Sequence, residues 1–320
     1  MKADKVEKMI NDIKQAVSIL RAGGLVAIPT ETVYGLGADA TNPNALRKIF
    51  LIKQRPIDHP LIVHLGSPAE VTKWAQNVSP EAWSLINAFW PGPLTLVLQK
   101  APHVHDLITG GQYTIGLRIP AHPIAQALLQ EFGSGIAAPS ANLFGRISPT
   151  TADAVREELG DAVDLILEGG QCEVGLESTI VDMRGAQPVI LRPGMITATQ
   201  IEAVLHQSVS AKKNNAPRVP GSVESHYAPV TPTYLMDTKE LALFMENIKE
   251  QDMPFIVVGF TKKNISTVVM SSDPITYAHD LYQVLRELDK KNLRRIIIEA
   301  VPDIPEWDAI RDRLQRATYK

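Results

Sequence analysis

The sequence predicts an α/β protein in two parts. Residues 1–207 should form an open, twisted mixed sheet with helices, and residues 232–320 a small parallel α/β domain, joined by a linker at 208–231. Three observations carry this. In the first part many short apolar runs stand among few helical periods, which suits a mixed sheet better than a regular βα series. The stretch SVSAKKNNAPRVPGSVESHYAPVTP is polar, holds four prolines and lacks an apolar period, as a linker or extended loop does. Beyond it strand and helix alternate, as in parallel βα units.

Taken in order, Val6, Ile10, Ile13, Val17 and Leu20 recur at helical spacing, and Gly23-Gly24 stops that helix. Leu25–Ile28 reads as a buried strand and opens into the loop PTETVYGLGAD, Pro29–Asp39. Ala45–Leu51 is a short helix. Ser79-Pro80-Glu81 starts another that runs to Trp90, where Pro91-Gly92-Pro93 ends it. Strands follow at Leu94–Leu98, Thr114–Ile119, Ile136–Ala138, Leu165–Leu167, Thr179–Asp182 and Val189–Leu191, with helices at Ile124–Glu131 and Ala152–Leu159. Thr199 with Glu202 makes a capping box for a helix ending near His206. In the last part, strands fall at Tyr234–Met236, Phe255–Gly259, Thr267–Met270 and Arg295–Glu299. Helices there fall at Lys239–Ile248, Tyr277–Lys290 and Glu306–Arg316. No GxGxxG or P-loop sequence marks a nucleotide site in that part.

Composition narrows the class. An apolar fraction of 45% and a charged fraction of 21% belong to an ordinary globular protein, and a net charge of −3 gives no overall basic field. No apolar run spans a bilayer, and MKADKVEKMI lacks a signal-peptide core, so the expected location is cytoplasmic, with no membrane partner. The lone Cys172 excludes an internal disulfide framework and a cysteine-based zinc site.

The chemistry-bearing residues gather at strand ends. Lys53 and Arg55 sit one residue apart and project to one side if the segment is extended, which suits a phosphate anion. A solvated basic turn is the plainer reading. His64, within the apolar run Leu61–Leu65, reads as a packed core histidine or a ligand. Thr114 and Arg118 bracket a strand, and Arg118 serves either a carboxylate or phosphate clamp or an ion pair. Ser140 and Asn142 follow the strand ending at Ala138. Ser148-Pro149-Thr150-Thr151 caps the next helix, GLEST offers Ser178 before a strand, and Arg192 ends one. The glycines at 35 and 37 give backbone room to approach a ligand. No nucleophile–base triad, HExxH or Cys/His cluster is visible. Hydroxyls, amides and cations without a covalent nucleophile suit positioning and charge neutralisation, the style of adenylyl or phosphoryl chemistry.

PTETVYGLGAD, KQRPIDHPLIVH, WPGPLTLVL, TIGLRIPAHP, APSANLFGRISPT, GLESTIVD and ILRPG stand in the order seen in YrdC-type domains. PGSVESHYAP and the small domain after it resemble the longer Sua5 branch, so the resemblance covers essentially the whole chain. It implies a YrdC-like twisted sheet with a concave cavity, a Rossmann-like Sua5 domain behind it, and a nucleotidyltransferase, L-threonylcarbamoyladenylate synthase. Such an enzyme joins L-threonine, bicarbonate or CO2 and ATP, releases pyrophosphate, and hands its product to the tRNA threonylcarbamoyl transferase machinery for N6-threonylcarbamoyladenosine. Mg2+ is implied as cofactor, bound through the ATP phosphates rather than by protein side chains. By the same resemblance the signature residues are Lys53, Arg55, Ser140 and Asn142. L-Threonine contacts fall on Thr32, His64, Arg118, Ala138 and Ser178. ATP contacts fall on Arg55, His59, Thr114, Ser140, Ser148 and Arg192, with His226 and Tyr227 of the linker added as a lid over the nucleotide.

Two departures stand out. His59 occupies a position that is often Asn or Lys in relatives, which would make its contact pH-sensitive near neutrality. Ser222-Val223-Glu224-Ser225 replaces the basic and aromatic residues common before HYAP. The rival reading is a non-catalytic double-stranded RNA or tRNA-binding module. Residues 1–207 carry 16 Lys and Arg against 20 Asp and Glu, a net of −4, so tRNA binding is expected to be at most weak. A hydrogenase-maturation carbamoyl transferase would need zinc-finger cysteines that this chain lacks.

Overall fold

The computed structural model describes residues 2–211, 216–221, 226–247, 254–262 and 266–318. The first part holds helices α1 (Lys2–Arg21), α2 (Pro43–Lys53), α3 (Val71–Trp74), α4 (Pro80–Phe89), α5 (Asp106–Thr109), α6 (Pro123–Phe132), α7 (Ala152–Leu159) and α8 (Ala198–Leu205). Its strands are β1 (Val26–Ile28), β2 (Gly35–Asp39), β3 (Ile62–His64), β4 (Ala75–Gln76), β5 (Leu94–Lys100), β6 (Thr114–Arg118), β7 (Ile136–Ala137), β8 (Leu165–Ile166), β9 (Thr179–Asp182), β10 (Val189–Arg192) and β11 (Ser210–Ala211). They form one mixed sheet in the order β11-β10-β9-β5-β6-β3-β7-β2-β1-β8, with β4 on β5. The expected mixed sheet is observed.

The helices have local causes. α1 packs Ile13, Ala16, Val17 and Leu20 in one apolar cluster with Leu128, Leu129 and Phe132 of α6. At α2, the Asn42 side chain accepts from the amides of Asn44 and Ala45, Pro43 fills the first turn, and Gln54 closes the helix in the left-handed region at φ 52°. Ser79 caps α4 by accepting from Ala82 N, as the Ser-Pro-Glu signal predicts. The box at α8 lies two residues earlier than expected: Thr197 and Gln200 form it, while Glu202 accepts from Val209 N. Both pairs share the S/T-x-x-E/Q spacing, and the helix start at Ala198 selects between them.

PTETVYGLGAD divides in two. Pro29–Tyr34 is the loop, whereas Gly35–Asp39 is strand β2, antiparallel to β1 and β7. This corrects the role expected of one of its two glycines, Gly37. A Cβ on Gly37 would stand 2.5 Å from Ile28 Cδ1 and 3.0 Å from Ile136 Cγ2, so that glycine serves close strand packing and not substrate approach.

The second part holds β12 (Thr233–Met236), α9 (Thr238–Glu246), β13 (Phe255–Gly259), β14 (Thr267–Val269), α10 (Pro274–Asp289), β15 (Arg295–Glu299) and α11 (Asp308–Thr318). Its sheet runs β12-β15-β13-β14, every pair parallel. The predicted end of the helix at Ile248, and Ser222–Ser225 of the linker, lie outside the described residues. Helices α10 and α11 face the first part. Gly175, at φ +79°, lets the backbone of α10 approach so closely that a Cβ would meet Ala278 O at 2.6 Å.

Candidate active site

Strand pairing builds one cleft. β3 lies between β6 and β7, which sets His64 opposite both Arg118 and Ile136. The loop after β7 then carries Ala138, Ser140 and Asn142 to the same mouth, and Gly35 of β2 bridges Ser140. Thr32, Lys53, Arg55, Ser178, Arg192 and, from the linker, Pro220, Gly221, His226 and Tyr227 complete the lining. Counted out to its mouth, the cleft encloses about 620 Å³.

At one end, Arg118 is buried and ion-paired, although its NH2 and Glu31 Oε1 meet by charge without an aligned hydrogen bond. Its NH2 group pairs with Glu31 Oε1 at 2.7 Å, NH1 donates to Thr32 Oγ1 at 2.8 Å, and Nε donates to Gly92 O at 3.2 Å. Glu31 Oε2 also accepts from Ala121 N at 3.0 Å. Thr30 shapes the loop: its hydroxyl donates to Val33 O at 2.6 Å and lies 2.8 Å from the Thr32 hydroxyl. The Tyr34 hydroxyl donates to Gly170 O and accepts from Gly169 N, so Tyr34 is a loop brace. His64 is buried, and burial, then Arg118, lowers its pKa to about 3, leaving a neutral ring whose Nδ1 has no partner.

At the other end lie Lys53 and Arg55. The segment is not extended, as the same-side argument assumed. Lys53 ends α2, and the left-handed turn at Gln54 swings Arg55 back beside it. Both are buried, which sets aside the solvated basic turn. Lys53 Nζ donates to Ser140 O at 2.6 Å and to Asn142 O. The signature therefore works through main-chain carbonyls: the lysine pins the loop that displays Ser140 and Asn142. Burial, then the adjacent Arg55, pulls the Lys53 ammonium well below its usual pKa. Arg55 donates to Pro60 O at 2.9 Å, and burial lowers its pKa to about 10, so it stays cationic at neutral pH. Its Nε is buried without a partner, as are Asn142 Oδ1, His226 Nδ1 and Tyr227 Oη. Polar atoms left bare in one cleft point to a polar ligand.

Ser178 and Arg192 join the two ends. Arg192 donates from Nε and NH2 to Ser178 O at 3.1 and 2.9 Å, from NH2 to Ser178 Oγ at 3.1 Å, and from NH1 to Pro220 O at 3.0 Å. The arginine thus ties the linker to the cleft wall. His226 sits edge-on to Phe144 at 5.8 Å and to Tyr227 at 4.1 Å, and burial lowers its pKa to about 3.

Three predicted residues fall outside the lining. His59 sits edge-on to Phe144 at 5.1 Å, and burial, then Arg55, lowers its pKa, so it is neutral at pH 7 and its titration moves away from neutrality. Thr114 lines a smaller neighbouring recess with Thr95 and Val219. The capping reading of Ser148–Thr151 belongs to Thr151, which accepts from Ala154 N. The Ser148 hydroxyl instead donates to Glu177 Oε1 at 2.6 Å.

Sequence reasoning left Glu31 open between shaping its loop and touching substrate, where the structure gives it to Arg118 and Ala121 N, and it passed over Phe144 and Glu177. Glu177 had a signal, since it stands beside Ser178 in the quoted GLEST. Burial raises its carboxyl, but Arg313, Arg192 and the Ser148 hydroxyl outweigh that and hold its pKa near 2. No helix among the described residues is long and apolar enough to cross a membrane.

The chain has relatives among known proteins. The family model Sua5_yciO_yrdC, described as "Telomere recombination", matches residues 18–194, and the model Sua5_C, "Threonylcarbamoyl-AMP synthase, C-terminal domain", matches residues 196–318. The threonylcarbamoyl-AMP synthase of Pyrococcus abyssi is 37% identical over 318 residues, covering 96% of this chain and 94% of the relative. That of Bacillus subtilis is 38% identical, covering 95% and 92%. The crystal structure of P. abyssi Sua5 complexed with L-threonine superposes with a TM-score of 0.90 at 36% identity, covering 96% of this chain and 94% of that one.

Proposed function

The chain belongs to the Sua5/YrdC family and is a threonylcarbamoyl-AMP synthase, and from that premise we infer how its cleft divides the work. L-Threonine is the amino-acid substrate, as it is the ligand bound in P. abyssi Sua5. Its carboxylate meets the Arg118 end, with Thr32, Ser178 and the neutral His64 reading its polar groups. ATP lies toward Lys53, Arg55 and Arg192, with Ser140 and the linker's His226 and Tyr227 around it. The observation that carries this division is electrostatic. Arg55 is a buried cation beside the buried amine of Lys53, and neither has a carboxylate ion pair among the described residues, so a polyanion, which also favours the Lys53 ammonium, is their natural counter-charge.

The threonine amine adds to CO2 with loss of a proton to solvent, or to bicarbonate with loss of water, to give a carbamate. A carbamate oxygen then attacks the α-phosphorus, the bond to the β-phosphate oxygen breaks, and pyrophosphate leaves. No side chain forms a covalent intermediate. Lys53 and Arg55 stabilise charge that grows on the leaving group, and their fixed positions avoid reorganisation during the step. Mg2+ fits as a companion of the ATP phosphates. No three His, Cys, Asp or Glu side chains gather as a cage among the described residues, and Glu177, the one carboxylate in the lining, is taken by Arg313, Ser148 and Tyr282. We place the enzyme in the cytoplasm, where its product would pass to the tRNA-modifying transferase.

The test is pyrophosphate release by the purified protein with ATP, Mg2+ and bicarbonate. Release should depend on L-threonine. Threonine-independent release, or none, would overturn the reading.

A further inference from the structure

One arginine of the second domain reaches the wall of the cleft. α11 turns Ala309, Ile310, Leu314 and Ala317 inward, and Arg313 sits among them, wholly buried. Its Nε donates to Glu177 Oε2 at 2.8 Å, and NH2 donates to Pro193 O at 3.1 Å and Glu177 O at 3.4 Å. NH1 donates to Asp312 Oδ2 at 2.5 Å. The guanidinium also stacks over the Tyr227 ring, 5.0 Å from its centroid.

These partners are not scattered. Glu177 and Pro193 precede and follow two lining residues, Ser178 and Arg192, and Glu177 and Tyr227 themselves line the cleft. Glu177 holds the Ser148 hydroxyl at 2.6 Å and accepts from Tyr282 of α10 at 3.0 Å. Tyr282 in turn stacks on Tyr227 with centroids 5.9 Å apart. Arg313 is not the sole tie between the domains: the close backbone approach at Gly175 and the ion pairs of Arg286 with Glu158 and Lys290 with Glu157 also join them, and well-packed apolar residues in place of a buried ion pair are often neutral or stabilising.

We propose that Arg313 is a positioning residue of the active site, through which the C-terminal domain fixes Glu177 and Tyr227 and, through them, the neighbouring lining residues Ser178, Arg192 and His226. The proposal rests on the reaction assigned above. It gives the second domain a part in the chemistry without giving it a ligand of its own.

The full chain is assayed for pyrophosphate release with Arg313→Met, Arg313→Lys and Tyr282→Phe, alongside thermal unfolding and calorimetric ATP binding. Arg313→Met, assayed well below its melting temperature, should raise the KM for ATP about fivefold and lower kcat about tenfold. Arg313→Lys should recover only part of this, because an ammonium does not bridge Glu177 and Pro193 as the fork does. Tyr282→Phe should raise the KM for ATP two- to threefold in a folded variant whose melting temperature falls by only a few degrees. Kinetic constants within 1.5-fold of wild type in the folded variants would overturn the proposal even if stability fell, leaving Arg313 as a docking residue. If Arg313→Met does not fold, Tyr282→Phe decides by the same criterion. If the wild type releases no threonine-dependent pyrophosphate, the reaction is wrong and ATP binding becomes the readout: weaker binding in the variants supports positioning, and equal binding rejects it.

Discussion

The two ends of the cleft are charged alike and finished differently. At the threonine end, Arg118 is neutralised in place by Glu31 and braced by Thr32 and Gly92 O. At the phosphate end, Lys53 and Arg55 donate only to carbonyl oxygens, the Arg55 guanidinium lies over the Phe144 ring 5.7 Å from its centroid, and Arg55 Nε has no hydrogen-bond partner. A buried cation with its carboxylate is a settled structure; a buried cation without one is stabilised by a substrate that brings the charge. The comparison teaches that the first end is built to orient and the second to receive a polyanion.

The strongest way to break this contrast is Lys53→Ala. It removes a cation and frees the loop bearing Ser140 and Asn142, so kcat/KM for ATP should fall about 100-fold, the scale of losing one preorganised charge stabiliser. Arg55→Ala should cost tenfold or more, again on ATP, with calorimetric L-threonine affinity unchanged. If Arg55→Ala is near wild type, or if either variant weakens threonine as much as ATP, the two ends are not separate.

Glu31→Gln probes the settled end. Breaking one partner of a buried pair costs about 3–5 kcal/mol, so the melting temperature should drop clearly. Arg118, no longer oriented, should bind L-threonine three- to tenfold more weakly, with the KM for ATP unmoved. Unchanged threonine affinity would show that Thr32 and Gly92 O orient the guanidinium without Glu31.

Much of this was legible in the sequence, for reasons that differ by level. Periodicity and caps located the long helices and the second domain's strands, because an amphipathic face and a Ser-Pro-Glu start are local signals. β2 hid inside a loop-like composition, since its small residues serve strand packing, as Gly37 shows. The order of the main sheet rests on pairings distant in sequence, such as β5 with β9, which no local pattern encodes. The cleft residues were named through resemblance and residue chemistry, and the structure gathers all but His59, Thr114 and Ser148 along one lining. What the sequence did not assign was the work of main-chain acceptors and of Arg313. Arg313 had a signal: a charged side chain on the inward face of a helix, in step with Ile310, Leu314 and Ala317.

Acid should separate the two ends further. His64 serves the threonine end and His226 the phosphate end, and each is buried neutral with its pKa lowered to about 3. The unfolded chain takes up protons at these sites below about pH 6.5, while the folded chain does so only near 3. The unfolded state thus binds more protons in that window, and stability falls as pH drops from 6.5 toward 3. Glu177 does not contribute between pH 7 and 5. Its stabilisation is complete above the unfolded carboxyl value of 4.5 and is lost only as pH falls toward 2. Urea midpoints at pH 7 and pH 5 should therefore differ, and His226→Gln should remove part of the difference. A midpoint independent of pH over that range would refute the buried neutral histidines.

The smallest effect is expected at His59, just outside the phosphate end. Its ring leans edge-on against Phe144, which does line the cleft, and burial with Arg55 nearby keeps it neutral at pH 7. A neutral donor one layer behind the lining offers the phosphates no charge, and an aromatic edge contact is worth only about 0.5–1.5 kcal/mol. His59→Asn keeps a donor and loses that contact, so the KM for ATP should rise no more than about threefold at pH 7. The effect should be the same at pH 8, because the ring carries no proton to lose. A tenfold loss at pH 7 that disappears at pH 8 would mean the imidazolium is present and reaches the phosphates. In that case the receiving end of the cleft extends past Arg55, and His59 belongs among its cations.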